Sequence, residues 1–242
     1  MSPFRLAKKL AVVASLISAL IFVFGTQRQT QAQGDKTPYP KMAPLEQYLM
    51  DRDAEIALAR SAAPESISRD AKIIVLGLHG YDTAVEGKNG FVCVVERSWM
   101  NPFDHPEFWN PKVRGAICYN PPAARSVLPI TYLRTQMVLA GASKAQIIAR
   151  IKDAFAKKEL PALEPGSMSY MMSKQAYLTD DGSHDVAHLM FYTPLMDGAN
   201  WGADLPKSPV YLLPGFQGAP EPIDVFIVLT GRWSDGTPAR AM

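Results

Sequence analysis

The segment KIIVLGLHGYDTAVEGKNGFVCVVE, residues 72–96, is the most direct indication of the class of fold in this chain. It opens with a continuous apolar run of strand length, residues 72–78. Residues 81–86 and 91–96 then flank Gly87-Lys88-Asn89-Gly90, in which Asn-Gly tolerates the positive φ angles of a tight turn. The segment therefore predicts one strand followed by a β-hairpin.

Further strands and helices follow in blocks. The pattern predicts strands at residues 167–173, 186–193 and 223–230. It predicts helices between Pro44 and Pro64, over residues 130–140, and after Ser143, whose spacing to Gln146 has the form of a capping box. Because these elements do not alternate as βαβ units, they predict an α+β fold, a single domain with a mainly antiparallel sheet and three to four helices.

Residues 1–32 have the order of a secretory signal peptide. Basic residues precede an apolar run at 10–25, and Thr30-Gln31-Ala32 offers small residues around a cleavage point. The run is shorter than the roughly 20 residues that span a bilayer as a helix; a retained anchor is the alternative. The sequence thus predicts an exported protein, periplasmic or secreted, that meets a membrane only through residues 1–32 if they stay uncleaved. A polar tether at 33–43 then leads to the domain at 44–242.

The charge balance argues against a nucleic-acid partner. The whole chain has a formal charge of +2, but four of its basic residues lie within residues 1–32. Without that segment, acidic residues outnumber basic ones by about two. No basic surface of the kind that binds a phosphate backbone is therefore predicted.

The chain has two cysteines, Cys93 and Cys118. In an oxidising compartment a disulfide between them is expected, with separate buried thiols as the alternative. Their spacing is far from the C-x-x-C of a redox-active pair. The bridge would pin residues 98–119 against the predicted hairpin.

Residues 98–119 are predicted to form an ordered loop rich in aromatic side chains and prolines. Long irregular loops in compact domains are often functional, although these rings could equally complete the core. Tyrosines on the later strands would combine apolar area with a polar tip. The candidate ligand-binding residues are accordingly Trp99, Phe103, Phe108, Trp109, Tyr170 and Tyr192.

One interpretation of the chain is a serine hydrolase. Residues 73–80, which end in His79-Gly80, resemble the strand and oxyanion turn of α/β-hydrolases, and Gly141-Ala-Ser143 superficially resembles the nucleophile elbow. Acidic residues and His188 follow in the required order. However, Ala145 replaces the second glycine of the elbow, and the residues before Gly141 have a helical pattern. A helix cap at Ser143 explains the same residues without chemistry.

A metal site is a second interpretation. His184 and His188 are four residues apart, a spacing that binds one metal ion from a helical turn. On a strand the same spacing separates the side chains by roughly 13 Å, so a metal site needs His184 in a bent loop. Methionines at 168, 171, 172, 190 and 196 could hold copper, but methionine is far more often a core filler. The sequence defines no cofactor.

Three short motifs in a fixed order resemble a family of uncharacterised secreted bacterial proteins. The motifs are Asn89-Gly-Phe-Val-Cys93, Tyr170-Met171 and His188-Leu-Met190, and they match N-G-[FW]-x-C, Y-M and H-[LV]-M segments of that family. The similarity covers most of residues 45–240. The family pattern has proline before the histidine, where this chain has Ala187. Because the family has no known activity, the resemblance implies export but supplies no mechanism.

Two functions are consistent with the sequence. The first is a secreted domain of unknown activity that binds a small molecule or an envelope protein, because an aromatic loop beside a Met- and Tyr-rich sheet suits a pocket. The alternative is a hydrolase or metal-dependent enzyme centred on His188 with His79 or His184.

Overall fold

The computed structural model describes residues 38–183, 186–213 and 220–239. Its strands are β1 Lys72–Gly77, β2 Gly80–Val85, β3 Val92–Glu96, β4 Gly115–Tyr119, β5 Met168–Met171, β6 His188–Pro194, β7 Val210–Leu212 and β8 Ile223–Leu229. They form one eight-stranded sheet in the order β2-β1-β3-β4-β5-β6-β8-β7. Neighbouring strands are antiparallel except for β1 and β3, which are parallel.

The helices cover both faces of this sheet. They are α1 Arg52–Arg60, α2 Glu65–Ser68, α3 Pro121–Ser126, α4 Leu128–Leu139 and α5 Lys144–Ala156, with 3-10 turns at Leu45–Gln47, Ser98–Met100 and Gly198–Trp201. Helix α1 packs on β1, β3 and β4, whereas α3 and α4 cover the opposite face and α5 packs on α4. The predicted α+β fold with a mainly antiparallel sheet is confirmed, with more helices than the three to four predicted.

The predicted hairpin between residues 81–86 and 91–96 is wrong. The hairpin instead joins β1 to β2 through Leu78 and His79, and β3 then lies beside β1 on its other side. Residues 86–91 cross the start of β1: Lys88 N donates to Asp70 O at 2.8 Å, and Lys72 N donates to Phe91 O at 2.9 Å. Asn89-Gly90 does adopt the positive φ angle of a turn, since Gly90 has φ +79°. The turn lies in this crossing and not in a hairpin.

The other predicted elements hold with adjusted boundaries. All three later strands are present, and Ser143 caps α5 with the full capping box that its spacing to Gln146 predicts. Between Pro44 and Pro64, however, the chain forms a 3-10 turn first. The α-helix begins only after Asp51, whose carboxylate accepts hydrogen bonds from Asp53 N and Ala54 N.

Cys93 and Cys118 form the predicted disulfide. The two residues face each other directly across the antiparallel strands β3 and β4, with 4.0 Å between their Cα atoms. Residues 98–119 were expected to be a loop throughout, but their last five residues form β4. The bridge therefore joins two central strands beneath α1 and does not tie a loop to a hairpin.

The predicted signal peptide, residues 1–32, lies outside the described residues. Within the described ranges, no helix is both long and apolar enough to cross a membrane.

Candidate functional site

A mainly apolar cavity lies on the sheet face that α4 covers. It has two adjoining lobes that share Glu96, Met100, Met190 and Leu213 in their walls. The narrow lobe lies between the sheet and α4, and the wide lobe lies between the sheet and the connections at residues 97–113, 178–179 and 186. The wide lobe encloses about 320 Å³ and the narrow lobe about 70 Å³. The volume of the wide lobe alone therefore lies near the lower end of the range typical of small-molecule sites.

Glu96 is the acidic residue at the junction of the two lobes. It ends β3 on the face that carries Val92 and Val94, since side chains alternate along a strand. Tyr119 Oη donates to Glu96 Oε1 at 2.5 Å, and Thr131 Oγ1 donates to the same oxygen at 2.8 Å. Both bonds go to Oε1, so Oε2 has no hydrogen-bond partner among the described residues.

Burial raises the pKa of Glu96, and the bonds from Tyr119 and Thr131 only partly offset that effect. An apolar enclosure disfavours the carboxylate, so the acid holds its proton to a higher pH than an exposed glutamate does. Groups of this kind in a cavity are typical of functional sites.

Two tyrosines extend the polar contacts of Glu96 along the cavity floor. The rings of Tyr119 and Tyr192 stack with centroids 6.3 Å apart, and Tyr192 Oη and Ser169 Oγ are 2.9 Å apart. Burial raises the pKa of both tyrosines well above the ordinary value, so both phenols remain protonated near neutral pH. The rings of Tyr119 and Tyr192 thus line the narrow lobe beside the carboxyl group of Glu96.

A buried ion pair closes the narrow lobe. Arg134 on α4 donates to Glu221 Oε1 through Nε at 2.9 Å and Nη2 at 2.6 Å. Arg134 Nη1 donates to the carbonyl oxygens of Trp99, Met100 and Asn101. The guanidinium is therefore fully engaged, whereas the buried Glu221 Oε2 and Asn101 Nδ2 have no hydrogen-bond partner within the described ranges.

Two histidines line the wide lobe. His188 is buried, and its Nδ1 donates to Val186 O at 2.7 Å, because a carbonyl can only accept. His105 Nδ1 instead accepts from Glu107 N at 3.1 Å. Three strand spacings separate β3 from β6, so the Cα atoms of His188 and Glu96 are roughly 14 Å apart or more. The histidine and the acid share the cavity without forming a dyad.

The structure separates the residues proposed for a serine hydrolase. His79 is exposed in the β1–β2 turn at one side of the sheet, four strands away from His188 on β6. Residues 138–139 end α4, and Ser143 is an exposed helix cap. The element directly before Ser143 is helix α4 and not a strand, so the strained strand-to-helix turn of a nucleophile elbow is not formed there.

The candidate aromatic residues divide between core and cavity. Trp99 is fully buried and donates to Thr135 Oγ1, and Phe108 and Trp109 pack with it in the core beside α4 and α5. Phe103 lies over the Arg134 guanidinium at 4.3 Å, and Tyr170 packs on the α1 face against Phe91. Of the six aromatic candidates, Tyr192 lines the cavity.

The described residues contain no group of three or more His, Cys, Asp or Glu side chains able to hold a metal ion. His184, the predicted partner of His188, lies outside the described residues. Met171 and Met190 lie in the cavity wall, and Met172 is buried. These methionines pack as apolar filler, the role that sequence statistics favour.

The comparisons with known proteins add no assignment. No family model, curated protein or solved structure matches the chain.

Sequence reasoning missed the acidic residues of the site. Glu96 ends the strand Val92-Cys-Val-Val-Glu, in which Val92, Val94 and Glu96 share a face. A charged residue in line with two apolar ones was a signal that it points inward. Glu221 gave no such signal, because it lies in a proline-rich connection and meets Arg134 from 87 residues away.

Proposed function

We propose that this protein binds a small, mainly apolar molecule in the two-lobed cavity. The observation that carries the proposal is a wide lobe of about 320 Å³ with a mainly apolar wall. Among the described residues, that wall contains one carboxyl group, Glu96, whose Oε2 has no hydrogen-bond partner there. Ligand sites typically combine apolar walls with a small number of placed polar groups.

The cavity is a cleft partly open to solvent, so a ligand can enter it without opening the fold. The wide lobe, at about 320 Å³, lies within the range of volumes typical of small-molecule sites. Polar atoms of Glu96, Glu221 and Asn101 also lie at the walls of the two lobes without a hydrogen-bond partner among the described residues. Unsatisfied buried polar groups cost free energy, and a ligand that pairs with them would recover it.

Ligand-observed NMR with small-molecule fragments tests this proposal. We expect some fragments of about ten non-hydrogen atoms to give saturation-transfer signals with the native protein, since this size fills a pocket of this volume. Met190→Trp fills the space between the lobes and should abolish those signals. Leu195→Trp adds the same ring at an exposed position, 55% accessible, and should not. Signals that survive Met190→Trp, or no binding at all, would contradict the proposal.

We also propose that the protein is exported to an oxidising compartment, either the periplasm or the medium. The Cys93–Cys118 disulfide supports this placement, because such bridges persist outside the reducing cytosol. The order of residues 1–32 and the resemblance to secreted bacterial proteins support it from the sequence. N-terminal sequencing of the periplasmic protein tests it: the mature chain should begin at Gln33.

An enzyme that uses His188 is the second candidate function. His188 lines the wide lobe, and its bond to Val186 O fixes the ring orientation, as a general base requires. His188→Ala should then abolish turnover of a fragment that still binds, with the melting temperature almost unchanged. Binding without turnover by the native protein would leave the first proposal alone.

A further inference from the structure

We infer that the ligand carries a protonated amine, held in the narrow lobe between Glu96 and Glu221. This inference rests on the proposed binding function and names the chemical class of its ligand.

The charges around the narrow lobe leave one carboxylate without a counterion. Its wall contains two acids, Glu96 and Glu221, and one base, Arg134. Arg134 gives two hydrogen bonds to Glu221 and its remaining donor group to backbone carbonyls. Among the residues that the structure describes, no other lysine or arginine lines this lobe. A cationic ligand group would supply the missing charge.

The unpartnered atoms specify the direction of the hydrogen bonds. Glu96 Oε2 and Glu221 Oε2 both lack donors among the described residues, and Glu221 is only 4% exposed. Above its raised pKa, Glu96 is an ionised carboxylate, which only accepts, so the ligand group must donate to it. A bound cation favours that ionised form. A hydroxyl has one proton to donate, whereas a primary ammonium has three and also carries the charge. An anionic ligand would instead face the Glu96 carboxylate, while Glu221 is already paired with Arg134.

The aromatic floor suits the same ligand group. Tyr119 and Tyr192 line the lobe beside Glu96, and aromatic rings attract nearby cations. Beyond Glu96 the cavity widens between Met100, Met190 and Leu213. An amine in the narrow lobe can therefore place an apolar body in the wide one.

The test uses three ligands of matched shape: 3-phenylpropylamine, 3-phenylpropanol and 3-phenylpropanoate. Their dissociation constants are measured by ligand-observed NMR titration at one pH. We expect the amine to bind at least about tenfold more tightly than the alcohol, as one charge-assisted hydrogen bond predicts, and the acid to bind most weakly. Glu96→Gln should remove most of the amine's advantage and leave the affinity for the alcohol within about twofold.

The outcomes separate the two proposals. If the alcohol binds as tightly as the amine, or if the acid binds best, the amine inference is overturned and the binding function stands. If none of the three binds and the fragment screen is also empty, the binding function fails. Should Glu96→Gln not fold, Glu96→Asp retains the charge but withdraws it by one methylene. Glu96→Asp should lower the affinity for the amine more than the affinity for the alcohol. An unchanged ratio of the two affinities would overturn the inference.

Discussion

Tyr119 on β4 donates a 2.5 Å hydrogen bond to Glu96 on β3, although the residue directly opposite Glu96 in the strand register is Gly115. The phenol therefore reaches along the sheet to meet the acid. Gly115 lines the wide lobe, and a Cβ there would lie 3.4 Å from Leu178 Cδ2 and 3.6 Å from Met171 Cε, so apolar side chains already pack over it. The reaching phenol thus holds a carboxyl group at the edge of an apolar cavity.

The raised pKa of Glu96 predicts a specific dependence of stability on pH. A carboxyl whose pKa is raised by folding holds its proton more tightly in the folded protein. Its contribution to stability therefore falls as the pH rises from the ordinary glutamate range through the raised value. Glu96→Gln removes this component. The melting temperature of the variant minus that of the native protein should therefore increase from pH 4 to pH 8, about the span over which such a group titrates.

Differential scanning fluorimetry across that range measures this difference. Glu46→Gln, at an exposed carboxylate in the first 3-10 turn, is the control and should give a flat difference. A flat difference for Glu96→Gln as well would contradict a raised pKa at Glu96.

The buried ion pair between Glu55 and Arg97 should be essential for the fold. Glu55 on α1 accepts from Arg97 Nη2 at 2.9 Å and from Leu76 N at 3.1 Å, and both charged side chains are almost fully buried. Glu55→Gln would leave the guanidinium buried without a counterion, which costs about 3 to 5 kcal/mol. Urea denaturation should show this loss. The control Arg52→Gln, on the exposed side of α1, should change the free energy of unfolding by no more than about 0.5 kcal/mol. A loss as small as this for Glu55→Gln would refute the role of the pair.

Much of the fold could be predicted because local chemistry and the final structure agree. The cap at Ser143 and the alternating strand at Cys93 depend on neighbours within a few residues, and the structure reproduces both. The hairpin prediction failed because Asn89-Gly90 indicates a turn but not which strand the chain pairs with after it. Asn89 Nδ2 donates to Ile67 O, a contact 22 residues away in sequence, and this contact directs the chain across β1.

The site was harder to predict than the fold because its members come from distant segments. Glu96, Thr131 and Glu221 meet through β3, α4 and the approach to β8. No spacing in the sequence marks such a meeting. The sequence pointed instead to the aromatic segment at residues 98–119, yet the burial of Trp99 and Phe108 shows that most of its rings complete the core. Composition predicts apolar side chains, but it does not distinguish those that line a cavity from those that fill the core.

The disulfide should stabilise the protein without being accessible in the folded state. Cys93 and Cys118 are completely buried and close a loop with a sequence separation of 25 residues. The chain-entropy model gives about 3 kcal/mol for a loop of this size. The double variant Cys93→Ala/Cys118→Ala should lose about that much in urea denaturation. Thiol labelling of the exported protein, unfolded without reductant, should find no free cysteine; labelling of both would show that the bridge does not form.

Gly87 should be the least replaceable residue of the crossing over β1. A Cβ placed on Gly87 would overlap Lys72 N and lie 2.8 Å from Ala71 C, both backbone atoms that cannot move aside alone. Gly87→Ala must therefore displace the start of β1 or the crossing, and overpacking of this kind costs about 3 kcal/mol or more. Gly231→Ala is the matched control, because a Cβ there meets nothing within 4 Å. Urea denaturation of the two variants should differ by most of that amount, and hydrogen exchange should show lost protection at Lys72 and Lys88. Equal stability of the two variants would mean that the chain does not cross β1 at this point.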